Sequence, residues 1–355
     1  MASPIGVAII GGGIFVKEQH IPAVLKCDKL ALKAIYSRSL KSAQDTASLI
    51  PSTAPTPDLY SEGGEASTSF AALLARNDIA AVIIALPIVA QPAFVEAALA
   101  AGKHVLAEKP IAKDVASAAK LLAYARSSAI AATGATLSIA ENMRVVERFQ
   151  WAREQVSSFG RVTHFSARVL AHTPADSKYA ATAWRKTPEY QGGFLLDGGV
   201  HFAAITRLLI GTSADSAPAS VVAQTYLAQK HLAPIDSVSA VVTTRSGASG
   251  TYQHSAGSTL SSFDWDVAYE KGALRIADGK VTVTSSSEAG REPVTREFER
   301  SSGVAEEVAA WAGALAEGTT HPLLSPEEAL RDLEFLEKMF ISGEQGGAAQ
   351  TYELQ

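Results

Sequence analysis

Through its first 140 residues the chain alternates short apolar runs with helical stretches. It then changes to longer segments in which apolar and polar residues take turns. The run at 5–10 is continuously apolar, the pattern of a strand buried on both faces of a parallel sheet. Gly11-Gly12-Gly13 ends it, and a helical pattern follows to about Cys27. A second apolar strand at 30–36 leads to a helix at 40–49 and a Pro/Ser/Thr-rich loop at 51–57. Helix 69–76, strand 80–86, helix 92–101, strand 104–107, helix 114–127 and strand 131–138 continue the alternation. Strands separated by helices of this length predict right-handed βαβ units in a doubly wound parallel sheet.

Beyond residue 140 a helix at 145–156 precedes alternating, β-branched segments at 162–169, 220–227, 237–244, 250–254, 264–276 and 281–284. Polar turns at Ser246-Gly247 and Asp278-Gly279 join some of them, which predicts one large, open, mostly antiparallel sheet. A less regular stretch at 171–191 and a helix at 198–209 lie between the strands. In the tail Val304, Val308, Trp311 and Leu315 recur at helical spacing, and Ser325-Pro326-Glu327-Glu328 reads as a capping box with proline at the first helical position. Leu330, Leu333, Leu336 and Phe340 form the apolar face of the helix that follows. The expected organisation is α/β throughout. A Rossmann-type, doubly wound domain at 1–140 is expected to be followed by an α/β domain at 141–355, whose C-terminal helices pack back toward the first.

A length of 355 residues suits two domains better than one core. The net charge of −5 supplies no basic field, which argues against nucleic acid as a partner. The single cysteine, Cys27, excludes an internal disulfide and fits a reducing compartment. Residues 1–4 carry no basic region of the signal-peptide kind. The apolar stretch at 79–101 is broken by Pro87, Gln91, Pro92 and Glu96, so it reads as a buried strand and helix, not a membrane span. A cytoplasmic protein is expected.

Four constellations carry chemistry. Gly11 would make the tight turn after the first strand, and Gly13 would let the backbone approach a pyrophosphate at the helix N-terminus, with Ile14 and Phe15 alongside. The third fingerprint position is Val16, where glycine or alanine is usual. At the end of the second strand stand Ser37 and Arg38, with no Asp or Glu between residues 30 and 44 to take a ribose 2′-hydroxyl. A guanidinium there suits a 2′-phosphate, so NADP(H) is the expected cofactor. Glu108-Lys109-Pro110 ends a later strand, where ligands of doubly wound sheets bind, and Lys109 could exchange a proton with a substrate oxygen. In Gly192–His201 the pair Asp197 and His201 lies four residues apart on one helical face, an acid/base arrangement. Asp197 as a helix cap and His201 as a packed histidine remain alternatives. A metal site lacks a third ligand nearby, and none is expected.

Taken together, the glycine turn, "GKHVLAEKP" (102–110), "GGFLLDGGVH" (192–201) and "SPEEALRDL" (325–333) resemble the Gfo/Idh/MocA oxidoreductase family, in order and approximate spacing. "AEN" (140–142) and "TAWRKTPE" (182–189) are similar to an NADP-preferring fungal branch. The resemblance implies that Lys109, Asp197 and His201 serve hydride transfer and substrate binding. It further implies that Leu86, Pro87, Glu108, Lys109, Asn142, Trp184 and Arg185 touch the cofactor, that Glu141 and Tyr179 touch the substrate, and that the domain at 141–355 binds substrate and dimerises. Gln91 stands where many members carry a histidine, which puts nicotinamide contacts there in doubt. A homodimer through the large sheet and a sugar, polyol, aldehyde or ketone substrate are expected. The alternatives are a lyase or glycosidase-like enzyme that uses bound NAD(P) transiently, and a non-catalytic NADP sensor.

Overall fold

The apolar run Ile5–Ile10 forms strand β1, whose residues Val7 to Ile10 are completely shielded from solvent in the computed structural model, which describes residues 3–211, 213–286 and 292–355. Five further strands join it: β2 (Leu30–Ser37), β3 (Asp58–Ser61), β4 (Ala81–Ile84), β5 (His104–Glu108) and β6 (Leu137–Ala140). All neighbours are parallel, in the order β3-β2-β1-β4-β5-β6. That is the strand order of a doubly wound dinucleotide-binding sheet, with its switch point beside β1. The chain through Asn142 and the segment Gly303–Ala329 make up this unit. Within it, the helix Val304–Ala316 packs on the helix Ile21–Lys26 and the turns before it.

One expectation in this unit needs correction, and one strand was not foreseen. Residues 131–138 are not one strand: Ser128–Ala131 is a helical turn, and β6 begins only at Leu137. The alanine-rich run favours helix, and Gly134, at φ +75°, turns the chain before the strand can start. The short strand β3, just after the 51–57 loop, has no continuous apolar run to announce it. Arg76 bridges Asp58 (2.6 Å), at the start of β3, and Asp78 (2.8 Å), just before β4.

Among the described residues the second unit, Met143–Ser302 with Leu330–Gln355, holds nine strands. These are β7 (Val162–His172), β8 (Pro218–Tyr226), β9 (Ser237–Thr244), β10 (Ser249–Ser255), β11 (Gly257–Tyr269), β12 (Gly272–Ala277), β13 (Lys280–Ser285), β14 (Val294–Glu297) and β15 (Gln350–Thr351). Their order is β14-β13-β12-β11-β7-β10-β9-β8-β15. Only β7 and β10 pair in parallel among the described residues; the other neighbours run antiparallel. The segment 264–276, expected as one strand, is a hairpin that turns at Glu270-Lys271 and registers Tyr269 against Gly272. Its turn residues are charged and carry no Asn-Gly signal, so alternation ran through the bend unbroken. Gly272 is needed there, because a Cβ would meet the Phe159 ring and the Thr284 carbonyl, each at 2.4 Å.

The helix Phe194–Ile210 is anchored to this sheet by two hydrogen bonds. The Trp265 indole donates to the Thr206 hydroxyl (3.0 Å), and the Tyr269 hydroxyl donates to the Leu209 carbonyl (2.8 Å). Phe149, Phe263 and Trp265 pack edge-on or tilted, with ring centroids 4.8–6.5 Å apart. Below them a buried ionic clamp ties three elements. Asp332, on the helix Pro326–Glu344, accepts from Arg144 (2.5 and 2.6 Å) and from Arg207 (2.6 Å). All three side chains are at most 9% exposed. Glu334 on the same helix accepts from the backbone N–H groups of Glu353 and Leu354 and so fastens the C-terminal strand segment.

Candidate active site

The glycine turn separates into residues the fold requires and one it does not. Gly11 has φ +135°, and a Cβ there would lie 2.4 Å from the Ala85 carbonyl oxygen. At Gly12 a Cβ would crowd the hydroxyls of Ser42, Ser37 and Thr46. At Gly13 a Cβ would meet no protein atom within 4 Å. Packing therefore leaves Gly13 free, and the open cradle over it fits the approach of a pyrophosphate. Ile14 and Phe15 follow, half-buried, and Val16 begins a wide π-type turn (Val16–His20) before the helix Ile21–Lys26.

At the tip of β2, Arg38 is exposed, whereas Ser37 is buried and donates its hydroxyl proton to Ser42 (2.8 Å). Ser39 caps the next helix by accepting from the Ser42 N–H. One acidic group that the sequence around β2 did not announce stands nearby: the Tyr36 hydroxyl donates to Glu62 (3.1 Å), which follows β3. Burial and this carboxylate push the Tyr36 phenol well above its usual range.

Lys109 leaves the C-terminal end of β5 half-buried, and the Lys109–Pro110 bond is cis. Gln91, which stands where many family members carry a histidine, has a task in the backbone around Lys109. Its buried amide donates to the Glu108 carbonyl (2.5 Å) and, at longer range, to the Pro110 carbonyl (3.4 Å), which fixes the backbone on both sides of Lys109. His20, fully buried, hydrogen-bonds the Glu108 carboxylate at 2.7 Å and meets the Phe15 ring edge-on. Glu141 is buried just after β6, Asn142 is half-buried beside it, and Leu86 and Pro87 are half-buried after β4. Sequence reasoning missed His20 and Glu307. The charges of Glu108, Glu141 and Lys109 act on the fully buried Glu307 carboxyl from the helix Val304–Ala316. Neither residue belongs to a recognisable motif, so only the fold brings them to Glu108 and Lys109.

In the second unit the helix Phe194–Ile210 carries Asp197 and His201 one turn apart. Gly192 (φ +67°) and Gly193 (φ +52°) let the chain enter it, with the Phe340 ring 2.4 Å from one absent Cβ and Pro234 2.8 Å from the other. Asp197 is no mere cap. It is buried, and Arg185 donates to its carboxylate from Nε at 2.7 Å. Arg185 is in turn stacked on Trp184 (4.0 Å to the ring centroid) and lies 5.5 Å from the Tyr179 ring centroid. The irregular stretch thus assembles Tyr179, Trp184, Arg185 and Asp197 into one half-buried group. Burial, with the charge of Asp197 adding to it, pushes the Tyr190 phenol upward. His201 is half-buried on the same helix. Beneath it, Gly199 lies against the buried His254 imidazole, which burial drives down to about 3.

A doubly wound sheet with a glycine turn whose last residue has open space over it, and a lysine at the end of β5, defines an NAD(P)-binding oxidoreductase. The comparisons place it within that class. Residues 5–133 match the family model for the oxidoreductase family with an NAD-binding Rossmann fold, and residues 149–275 match the GFO/IDH/MocA C-terminal domain. The chain belongs to the Gfo/Idh/MocA family. It is 36% identical to dehydrogenase FPY6 of Fusarium mangiferae, over 99% of this chain and 100% of that one. It is 29% identical to D-xylose 1-dehydrogenase (NADP(+)) 2 of Haloferax volcanii, over 79% and 83% of the two chains. Among solved structures, an oxidoreductase from Thermotoga maritima superposes with a TM-score of 0.82 at 27% identity, covering 98% of each chain. No helix among the described residues is long and apolar enough to cross a membrane.

Proposed function

We propose that this protein is a cytoplasmic NADP(H)-dependent dehydrogenase or reductase acting on CH–OH or C=O groups of a sugar, polyol or small aldehyde or ketone. The observation that carries the cofactor reading is Arg38, exposed at the tip of β2 beyond the open cradle over Gly13. The relative from Haloferax volcanii, a xylose dehydrogenase with NADP(+) in its name, supports both the cofactor and the sugar class. Ser37 contributes the buried floor of this end of the cradle, and Arg38 offers a planar pair of donors to a 2′-phosphate. Bound there, the dinucleotide supplies the hydride donor or acceptor.

The chain's own residues bind, orient and handle the proton. Lys109, its backbone fixed by Gln91, holds or releases a proton at the substrate oxygen. His201 is the second acid/base group of the reaction, and Asp197, steadied by Arg185, holds the polar end of the substrate. Trp184 and Tyr179 give apolar faces against which a sugar or a nicotinamide can rest. Glu141 and Asn142 contribute polar contacts, and Leu86 and Pro87 a half-buried apolar wall.

Replacing Arg38 by Ala tests the cofactor reading. The expected result is a loss of NADPH affinity of about 10- to 100-fold, the size of a charge-assisted hydrogen bond, with NADH affinity nearly unchanged. Fluorescence titration of both dinucleotides measures it, and equal losses for the two would contradict the assignment.

The same reading includes a homodimer through the nine-stranded sheet. Val222 and Tyr226 of β8 and Val241 of β9 are 45–69% exposed, and Val222 registers directly against Val241. Such an apolar face is covered most simply by a second copy. Sedimentation should give a dimer that Val241→Lys converts to monomer, and a monomeric wild type would rule this out.

A further inference from the structure

Glu307 sits one turn into the helix Val304–Ala316, which packs on the helix Ile21–Lys26 and the wide turn Val16–His20. Its side chain is completely buried, and neither carboxyl oxygen makes a hydrogen bond with a protein group. Burying a polar group in this way costs about 1–3 kcal/mol, and far more for a charge. On the same helix Val304, Val308 and Trp311 are buried and apolar, so a buried carboxyl stands out among them. It lies where the charge of Lys109 acts on it.

The charged groups that act on it are Glu108 and Lys109 at the end of β5 and Glu141 after β6, and His20 of the wide turn is hydrogen-bonded to Glu108. Burial holds the Glu307 carboxyl well above the usual carboxylate range, the negative charges of Glu108 and Glu141 add to that, and Lys109 opposes it. The charges of Glu108 and Glu141 on one side and of Lys109 on the other thus act in opposite senses on the buried carboxyl. Its balance is set by positive charge: another cation beside Lys109 would favour ionisation of the third carboxyl.

We propose that Glu307 is a positioning residue that reports the oxidation state of the cofactor, remaining a neutral acid beside the uncharged reduced nicotinamide and releasing its proton when the cationic oxidised ring is bound near Lys109. The step breaks the Glu307 O–H bond, sends the proton to solvent and leaves a carboxylate that offsets the new positive charge. Oxidised cofactor is thereby held more tightly as pH rises, and reduced cofactor is not. This inference rests on the dinucleotide reading above, and the experiment separates the two.

Proton release on binding is measured in weakly buffered solution with a pH-indicating dye, for NADP+ and NADPH, on the wild type and on Glu307→Gln. The expected result is greater release with NADP+ than with NADPH, and loss of that difference in the variant, which keeps the shape and neutrality of the acid. Equal release for both forms, or a difference that survives in Glu307→Gln, overturns the proposal while leaving the function intact. Binding of neither dinucleotide overturns both. A second measurement needs no variant. The infrared carbonyl band of a protonated carboxylic acid should be present in the cofactor-free wild type and weaken with NADP+ but not with NADPH. A band that NADP+ leaves unchanged, or no band at all, counts against the assignment.

Discussion

Replacing Lys109 by Ala is expected to lower turnover by about 10²- to 10⁴-fold, the usual contribution of a positioned acid/base group, while NADPH affinity stays within a few-fold of the wild type. Lys109 is half-buried at the end of β5, and Gln91 holds the carbonyls on either side of it, so the substitution removes an amine without disturbing the cradle over Gly13. Steady-state kinetics on an accepted substrate, read beside a binding titration, separate the two effects. A fall in affinity matching the fall in turnover would show that the lysine only holds cofactor. Turnover near that of the wild type would remove it from the chemistry altogether.

Replacing Asp332 by Ala is expected to destabilise the second unit by about 3–5 kcal/mol, because it leaves two guanidinium groups buried without their shared carboxylate. Arg144 and Arg207 both donate to it, and Arg144 is only 3% exposed. That loss is a large part of the roughly 5–15 kcal/mol that holds a domain folded. Asp332→Asn, which keeps one acceptor and loses the charge, should fall between the two. Urea denaturation followed by tryptophan fluorescence checks this, since Trp265 is fully buried in the same unit. A midpoint unchanged in the Ala variant would mean that the clamp contributes nothing net.

The parallel sheet was legible because strands buried on both faces read as unbroken apolar runs, and β1, β2, β4 and β5 are such strands. β3 and β14 escaped notice: each has four residues, β14 is exposed throughout, and neither offers a core-facing pattern. The hairpin of β11 and β12 was hidden for a different reason, since a tight Glu-Lys turn leaves the two-residue period intact across it. The glycine turn, Arg38, Lys109, Asp197 and His201 stand in local motifs and could be picked out one by one. Their pairings could not. Arg185 reaches Asp197 across 12 residues, His20 reaches Glu108 across 88, and Glu307 lies in a helix nearly two hundred residues beyond Lys109 in the sequence. Long-range pairing of this kind depends on topology, which periodicity does not encode.

Titration of the purified wild-type chain with NADPH, followed by calorimetry, tests the central claim most directly. The account predicts one site per chain and tighter binding of NADPH than of NADH. Saturation by neither dinucleotide, or a clear preference for NADH, would contradict it.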